Sequence, residues 1–271
     1  MKRLQKIAIL VNQNKPRAEE FAAKVASLAE MEGCETKISL DYPVKDDFLA
    51  GQDACLSVGG DGTLLSTLKE SVKHQVPIVG INLGKLGFLA TYSEEDILNN
   101  LKDVIAGNYQ VLYRGLFDCV SADNKSHVAL NDVVIRQNYQ SRLIRLEVYL
   151  DEQLVNNYYC DGLIFATATG STAYNLSAGG PIIYPCDKVF ALTPICPHTL
   201  TNRTVIFSDD NRLTVHCADE HSQLAVYFDG QKSLEGLDCF PLHISIAKQR
   251  LPLLLPQNYS YFQILRKKLK W

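Results

Sequence analysis

The sequence of 271 residues is poor in three features that would assign it to a specialised class: long hydrophobic runs, paired cysteines and excess basic charge. The first apolar run ends by Val11, which is too short for a signal-peptide core or a membrane span, so a strand explains it better. The eight cysteines are spread singly, without a Cys-x-x-Cys, which argues against a structural zinc site. A formal net charge of −3 argues against a general nucleic-acid or membrane-surface binder. We therefore expect a cytoplasmic protein of enzyme size with neither of those partners.

What is present is the composition of an ordinary globular protein, with 46% hydrophobic and 21% charged residues. The length suffices for one large domain or two ordinary ones. Cysteines such as Cys55 lie within apolar runs, which predicts buried, reduced and inert thiols. The one basic cluster, at residues 266–270, is short and terminal. We expect it to complement the C-terminal end of a helix rather than to bind a polyanion.

The first ninety residues alternate between strand-like and helix-like segments. Short apolar runs predict strands at 7–11, 36–40, 54–58 and 77–81, and helical periodicity predicts helices at 17–32 and 63–74. This β-α-β rhythm favours a parallel sheet covered by helices. In such sheets ligands bind beyond the carboxyl ends of the strands, which is where residues 59–62 would lie.

After about residue 108 the pattern changes to alternating apolar and polar residues. Such alternation at 146–150, 224–228 and 242–246, with a hairpin connection at 151–153, predicts an antiparallel sandwich. Residues 259–271 return to helical periodicity. The predicted fold is an α/β N-terminal domain with a parallel sheet (1–107), to which a C-terminal helix returns (258–271), and a C-terminal antiparallel β-sandwich domain (108–257).

Two segments rich in small residues follow strand-like runs: LSVGGDGT at 56–63 and DGLIFATATGSTAY at 161–174. Glycine permits close backbone approach, and the amides of such turns suit phosphate. Asp61 is unexpected in a pure phosphate cradle. It indicates a metal-linked group or a base that takes a proton from a nucleophile, although it could also merely cap a helix that begins near Thr63. Together the segments favour a nucleotide phosphotransferase.

The GGDGT run at 59–63 resembles the signature of a kinase group that includes NAD kinases, diacylglycerol and sphingosine kinases and, more distantly, phosphofructokinases. Further segments resemble blocks of NAD kinases, in the same order and over nearly the whole chain: 82–89 (NLGKLGFL), 130–132 (LND), 161–181, 192–200 (LTPICPHTL) and 259–271. On these residues the chain is identified as a member of the bacterial-type NAD kinases.

The resemblance implies transfer of the terminal phosphoryl group of ATP to the 2′-hydroxyl of the adenosine ribose of NAD, which makes NADP. The first domain would bind the phosphate donor and the second NAD. Asp61 becomes the candidate catalytic base, and a positioned base contributes roughly 10²–10⁴-fold to such a step. A divalent cation such as Mg²⁺ is expected, held mainly by the nucleotide phosphates rather than by protein ligands. The resemblance also implies a homodimer or homotetramer, because family members build the NAD site partly from a neighbouring subunit.

The resemblance implies a set of substrate-binding positions: Gly59, Gly60, Gly62, Thr63, Phe88, Asn131, Asp132, Arg142, Asp161, Thr172, Ala173, Tyr174, Asn175, Ser177 and Gln231. Tyr174 offers a ring face for stacking on a base, and Arg142 could meet the pyrophosphate. Without the resemblance, Asn131-Asp132 would read as a turn and Tyr174 as a half-buried aromatic. Family members more often have Glu where this chain has Asp132, and Pro where it has Ala168.

Two other functions remain open at this point. A lipid or sugar kinase would share only residues 59–63, would need an apolar substrate groove and would leave residues 161–180 unexplained. A catalytically idle NAD(P)-sensing protein would keep the dinucleotide pocket. The presence of Asp61 counts against the second alternative, since binding alone does not require a base.

Overall fold

The computed structural model describes residues 2–84, 87–137, 143–199, 201–219 and 223–271. The chain forms two compact units, one made of Met1–Tyr113 with Leu251–Trp271 and the other of Arg114–Arg250. None of the helices in the described part of the chain has the length and apolar character needed to cross a bilayer.

The elements are numbered in chain order. The strands are β1 (Lys6–Val11), β2 (Glu35–Ser39), β3 (Ala54–Gly59), β4 (Ile78–Asn82), β5 (Tyr92–Ser93), β6 (Gln110–Arg114), β7 (Phe117–Val120), β8 (Ser126–Ala129), β9 (Asp132–Gln137), β10 (Ile144–Leu150), β11 (Gln153–Cys160), β12 (Gly162–Thr167), β13 (Val189–Ile195), β14 (Val205–Ser208), β15 (Arg212–Cys217), β16 (Leu224–Phe228), β17 (Gln231–Glu235), β18 (Leu242–Ile246) and β19 (Leu251–Leu255). The helices are α1 (Ala18–Met31), α2 (Asp61–Ser66), α3 (Leu68–His74), α4 (Glu94–Ala106), α5 (Tyr174–Ser177) and α6 (Tyr261–Leu269).

The first unit is built on a sheet of order β2-β1-β3-β4-β19-β6, with β5 paired to β4. The pairs β1–β2, β1–β3, β3–β4 and β4–β19 are parallel, as the β-α-β rhythm predicts. Both faces of β1 are buried: Ile7 and Ile9 pack with helices α1 and α4, whereas Ala8 and Leu10 pack with Leu49 on the other side. Burial on both faces is why this strand reads as a continuous apolar run.

The predicted helix at 63–74 is instead two helices, α2 and α3, which meet at Thr67. The Thr67 hydroxyl donates to the Leu64 carbonyl oxygen at 2.6 Å. A side chain that bonds to the backbone in this way competes with the regular helical ladder. Helical periodicity alone does not report such a break, because it depends on one side chain's bond to the backbone.

The second unit contains two antiparallel sheets, β11-β10-β15-β18-β7-β8 and β14-β13-β12-β9-β16-β17. Alternate residues of both sheets, such as Leu146 of one and Phe165 of the other, meet in a single buried core. This confirms the predicted sandwich. The predicted strands at 224–228 and 242–246 coincide with β16 and β18.

The boundaries between the units lie a few residues from those expected from the sequence. The expectation was 107/108 and 257/258, whereas β6 and β19 both belong to the sheet of the first unit and place the divisions at 113/114 and 250/251. The short strand β19 carries no alternation that marks its sheet, since all five of its residues are buried. The terminal helix α6 belongs to the first unit, as predicted.

Candidate active site

In the first unit the GGDGT run forms the turn from β3 into α2. Gly59 is the last residue of β3, and Asp61 is the first residue of α2. A Cβ on Gly59 would overlap the Thr63 hydroxyl and lie 2.8 Å from the Cβ of Asn12, so only glycine fits this close packing. Asn12 in turn follows β1 and donates to the Thr63 hydroxyl at 3.2 Å. The turn therefore lies at the carboxyl ends of neighbouring parallel strands, where ligands of such sheets bind.

A cavity of about 480 Å³ opens at this turn. Its lining consists of Asn12, Lys15, Gly59, Gly60, Asp61, Gly62, Thr63, Asn82, Gly87 and Lys268. Two lysines and the glycine backbone suit a polyanion such as a triphosphate. Lys268 comes from the last turn of α6. The terminal basic cluster thus lies at a helix end, as expected, and in addition supplies one cation to this cavity.

The Asp61 carboxylate fixes the chain that follows β4. One oxygen accepts the N–H of Phe88 at 3.0 Å, and the other accepts those of Leu89 and Ala90 at 3.2 and 2.8 Å. A Cβ on Gly87 would overlap the same carboxylate. The capping alternative is not what the structure shows, because Gly60 occupies the cap position and no side chain caps α2. Asp61 instead joins two loops and still faces the cavity.

Phe88 lies in the same cluster. Its ring centroid is 6.4 Å from that of Tyr261 and 5.9 Å from the Lys268 ammonium. The structure thereby brings the predicted residues 59–63 and Phe88 to one place in the first unit. Sequence reasoning missed Asn12, Lys15 and Lys268, whose only signal was that each is a polar residue close to the end of a predicted element.

The second unit has a cavity of about 340 Å³ beside strands β9 and β16. Its lining consists of Asn131, Asp132, Val134, Arg136, Ala173, Tyr174, Tyr227, Asp229 and Gly230. Four of these residues were predicted from the sequence: Asn131, Asp132, Ala173 and Tyr174. The Tyr174 side chain is 40% exposed, so its ring is available to a ligand.

Asp229, which the sequence reasoning missed, shapes this cavity. Its carboxylate accepts the backbone N–H groups of Leu130, Asn131 and Asp132 at 2.8, 2.6 and 3.2 Å. Asp229 has φ +50° and precedes Gly230 in the tight turn between β16 and β17, a conformation that Asp and Gly tolerate. The Asp-Gly pair was visible in the sequence as a hairpin signal, but its partners lie almost a hundred residues away.

Asp132 is buried, at 4% exposure, and Asp229 is half-buried. Burial, with the nearby Asp229 charge, raises the pKa of Asp132 to about 7, and a hydrogen bond from the Tyr174 N–H opposes the rise. Burial also raises the pKa of Asp229, opposed by the three N–H groups it accepts. One of these carboxyl groups therefore carries a proton over part of the neutral range.

Arg136 gives the lining of this cavity a positively charged side chain. Its guanidinium lies 4.5 Å from the centroid of the Tyr227 ring, in a cation–π contact. Sequence reasoning placed the arginine at Arg142, which lies outside the described residues. Arg136 pairs with Ala225 and Tyr227 with Val134 in the register of β9 and β16, so Arg136 and Tyr227 are diagonal neighbours, a register that the sequence alone does not give.

The second glycine segment is packed against residues 130–132. The Thr167 hydroxyl donates to the Leu130 carbonyl oxygen at 2.6 Å, and the Thr167 N–H donates to that of Asn131 at 2.9 Å. A Cβ on Gly170 would lie 2.6 Å from the Cα of Asn131. Glycine at this position lets the segment approach closely enough to place Tyr174 at the cavity.

The remaining predicted residues of the second unit that the structure describes do not line this cavity. Asn175 is fully buried, and its amide bonds the carbonyl oxygens of Ser171 and Pro181 and the hydroxyl of Thr193. A direct substrate contact by Asn175 stays a prediction, which these internal bonds do not favour. Asp161, Thr172, Ser177 and Gln231 are not among the residues that line the cavity.

Comparison with known proteins identifies the family to which this chain is similar. The model of the ATP-NAD kinase N-terminal domain matches residues 43–109, and that of the ATP-NAD kinase C-terminal domain matches residues 130–253. An NAD kinase of Chlorobium luteolum is 38% identical over 281 residues, which cover 98% of this chain and 97% of that protein.

Two solved structures share the fold. The crystal structure of an NAD kinase from Archaeoglobus fulgidus in complex with ATP has a TM-score of 0.81 and 27% identity, and covers 98% of this chain and 99% of that one. The crystal structure of yeast NADH kinase complexed with NADH has a TM-score of 0.86, covering 100% of this chain and 89% of that one. At 21% identity the yeast enzyme is evidence for the fold alone.

Fold, cavities and matches together define a kinase that uses a nucleotide donor. More particularly, the chain belongs to the NAD kinase family, since both family models match it and the relatives align over almost its whole length. It is an ATP-dependent enzyme that phosphorylates NAD. A lipid or sugar kinase and a non-catalytic NAD(P)-sensing protein are thereby set aside.

Proposed function

We propose that ATP phosphates bind in the cavity at residues 59–63, that NAD binds in the cavity beside β9 and β16, and that Asp61 is the base for phosphoryl transfer to the 2′-hydroxyl of the adenosine ribose. The observation that carries this proposal is the position of Asp61. It is the single carboxylate among the described residues that line the first cavity, where it faces Lys15 and Lys268.

A ribose hydroxyl is a poor nucleophile at neutral pH, and a carboxylate that accepts its proton strengthens it. The three N–H groups from Phe88, Leu89 and Ala90 hold the Asp61 carboxylate in one orientation. Such fixed orientation is what positions a catalytic group before the substrate arrives. The lysines would balance charge that develops on the transferred phosphoryl group.

For NAD, the second cavity offers an aromatic ring, a cation and amide groups. Tyr174 would stack on a base, Arg136 would meet the pyrophosphate, and Asn131 offers both a donor and an acceptor to a ribose or base. Asp132 would accept from a ribose hydroxyl when ionised. These roles use side chains that Asp229 and the segment around Gly170 hold in place.

A divalent ion such as Mg²⁺ fits the donor cavity if the phosphates hold it. Asp61 already accepts three backbone N–H groups, so its oxygens are poor candidates for inner ligands. The ion would neutralise the donor phosphates and orient the transferred group. Omission of Mg²⁺ is expected to abolish turnover.

We also propose a homodimer or homotetramer in a reducing compartment such as the cytoplasm. Asp161 and Ser177 are exposed and lie outside the lining of the second cavity, which supports a site completed by a neighbouring copy of the chain. The eight cysteines are free thiols, the state found in reducing compartments. Light scattering on the purified chain tests the assembly.

The experiment that tests the proposed function is NADP formation from NAD, with ATP, another nucleoside triphosphate and inorganic polyphosphate supplied in turn. ATP with Mg²⁺ is expected to support turnover. Two control reactions measure the background: one contains ATP and NAD without Mg²⁺, and the other contains ATP and Mg²⁺ without NAD. If ATP with Mg²⁺ yields no NADP, the proposal fails, whatever the other donors yield.

A further inference from the structure

A second cluster of charged side chains lies in the first unit and shares no residue with the ATP cavity. Glu70 and His74 are four residues apart on α3 and therefore lie on one helical face. Asp47, in the preceding loop, joins them. The His74 Nε2 atom is 3.1 Å from the Asp47 Oδ1 atom and 3.5 Å from the Glu70 Oε2 atom. The ligand atoms of the three residues lie within 4.8 Å of one another.

Glu70 makes this cluster unusual. The residue is 2% exposed, and neither carboxylate oxygen has a hydrogen-bond partner among the residues that the structure describes. Removing a carboxylate from water without partners costs several kcal/mol by order of magnitude. Buried polar groups in native proteins are almost always satisfied. The orphaned oxygens, which face the His74 nitrogen, therefore point to a bound cation.

The Lys73 ammonium does not take the place of that cation, because it pairs closely with Asp47 but not with Glu70. The ammonium is 2.8 Å from the Asp47 Oδ1 atom but 4.0 Å from the Glu70 Oε1 atom, beyond hydrogen-bond length. The Lys73 side chain is 47% exposed, so it can turn into solvent when an ion displaces it from Asp47. Asp47 is also exposed at 65%, which gives an ion a path from solvent, whereas Glu70 forms the buried floor.

The chemistry of the three ligand side chains indicates which kind of metal ion the cluster would bind. One imidazole nitrogen and two carboxylates suit Zn²⁺ and similar divalent transition metals better than Mg²⁺ or Ca²⁺, which prefer oxygen alone. Ligand atoms about 2.1 Å from a tetrahedral ion lie roughly 3.3–3.5 Å from one another. The two distances around His74 are close to that spacing. A water molecule would take the fourth position.

We propose that Asp47, Glu70 and His74 bind a divalent transition-metal ion of the zinc type, which ties the loop at residues 41–50 to α3. The ion displaces the Lys73 ammonium from Asp47. The site was not predicted from the sequence, because its ligands follow a Glu-x-x-x-His spacing plus a distant aspartate rather than a His-x-x-x-His or paired-cysteine pattern.

The test measures Zn²⁺ binding by the chelator-treated full chain, using calorimetry and thermal melting with added ZnCl₂. All proteins carry Cys186→Ser and Cys196→Ser, because these two thiols are exposed and thiolates are zinc ligands in general. We expect the parent to bind one ion per chain at this site and to melt at a higher temperature with Zn²⁺. His74→Gln is expected to weaken binding by more than the roughly 10–100-fold seen when only an outer-shell partner is lost.

Two further variants sharpen the test. Lys73→Met is expected to bind Zn²⁺ several-fold more tightly, since it removes the competing ammonium. His216→Gln, an exposed histidine on β15, is the matched control and is expected to bind like the parent. Equal Zn²⁺ affinity in the parent and His74→Gln would overturn the proposal, as would an affinity that Lys73→Met leaves unchanged.

Discussion

At the scale of single residues, Asp61 and Asp229 have the same structural role in separate units. Each carboxylate accepts three consecutive backbone N–H groups, from residues 88–90 and from residues 130–132 respectively. An ionised acceptor with several N–H donors is a strong way to fix a loop. Both fixed loops contain residues that line a cavity or lie beside one.

Substitutions of Gly62 are expected to affect phosphate binding and stability differently. A Cβ at this position meets no described residue beyond its chain neighbours within 4 Å, yet Gly62 lines the cavity proposed for ATP. Alanine favours a helix over glycine by up to about 1 kcal/mol, so Gly62→Ala is expected to unfold at the same or slightly higher urea concentration. Gly62→Val adds bulk to the space proposed for phosphate and is expected to raise the KM for ATP far more than that for NAD. Equal KM values for the variants and the parent would show that the donor does not approach this turn.

Asp132 makes a prediction about pH. Its folded-state pKa of about 7 lies above the value of about 3.9 expected in the unfolded chain, so the native state binds the extra proton between these limits. Its contribution to stability is therefore complete below about pH 4, decreases as the pH rises, and is lost above pH 7. Asp132→Asn removes this dependence and is expected to stabilise the protein at pH 8 relative to the parent by about 1–4 kcal/mol. Urea unfolding at pH 4 and pH 8 checks it, and an unchanged difference between the two pH values in the variant would contradict it.

At the scale of elements, the turn between β16 and β17 shapes the cavity proposed for NAD, because its Asp229 holds residues 130–132. Asp229→Ala leaves three N–H groups of residues 130–132 without their acceptor, and a lost bond to a charged group costs roughly 1.5–3 kcal/mol. We expect a lower melting temperature and a KM for NAD raised about tenfold or more, with the KM for ATP nearly unchanged. Asp238→Asn, at an exposed aspartate of the same region, is the control. An equal rise in both KM values would mean that the substitution disrupts more than the NAD cavity.

The elements also show where sequence reasoning succeeds. Runs such as β1 and β3 were predictable because strands buried on both faces are mostly apolar, and β16 and β18 because the alternation of their residues predicts strands. The break at Thr67 and the place of β19 in the first sheet were not predictable. The break depends on one hydroxyl that bonds to its own backbone, and the sheet position depends on which strand lies next to β4.

At the scale of the whole molecule, the residues of the sequence motifs were easier to predict than the residues that complete the cavities around them. The glycine turn, Asp61 and Tyr174 lie in short continuous segments with recognisable chemistry. Arg136, Asp229 and Lys268 lie outside those segments and reach their cavities only through strand pairing or the packing of α6. A single sequence holds no signal for such contacts, since ordinary surface positions have the same residue types.

The central claim is that Asp61 is the base of the kinase reaction, and Asp61→Asn tests it most directly. Asparagine keeps the size of the side chain and one acceptor oxygen, but loses the acceptor for one of the N–H groups, so a modest fall in melting temperature is expected. NAD and ATP binding, measured by calorimetry on the variant, separate this structural effect from catalysis. We expect both substrates still to bind the variant, whereas kcat falls by at least about 10²-fold. A kcat within a few-fold of the parent enzyme, or a loss explained entirely by a raised KM for ATP, would contradict it.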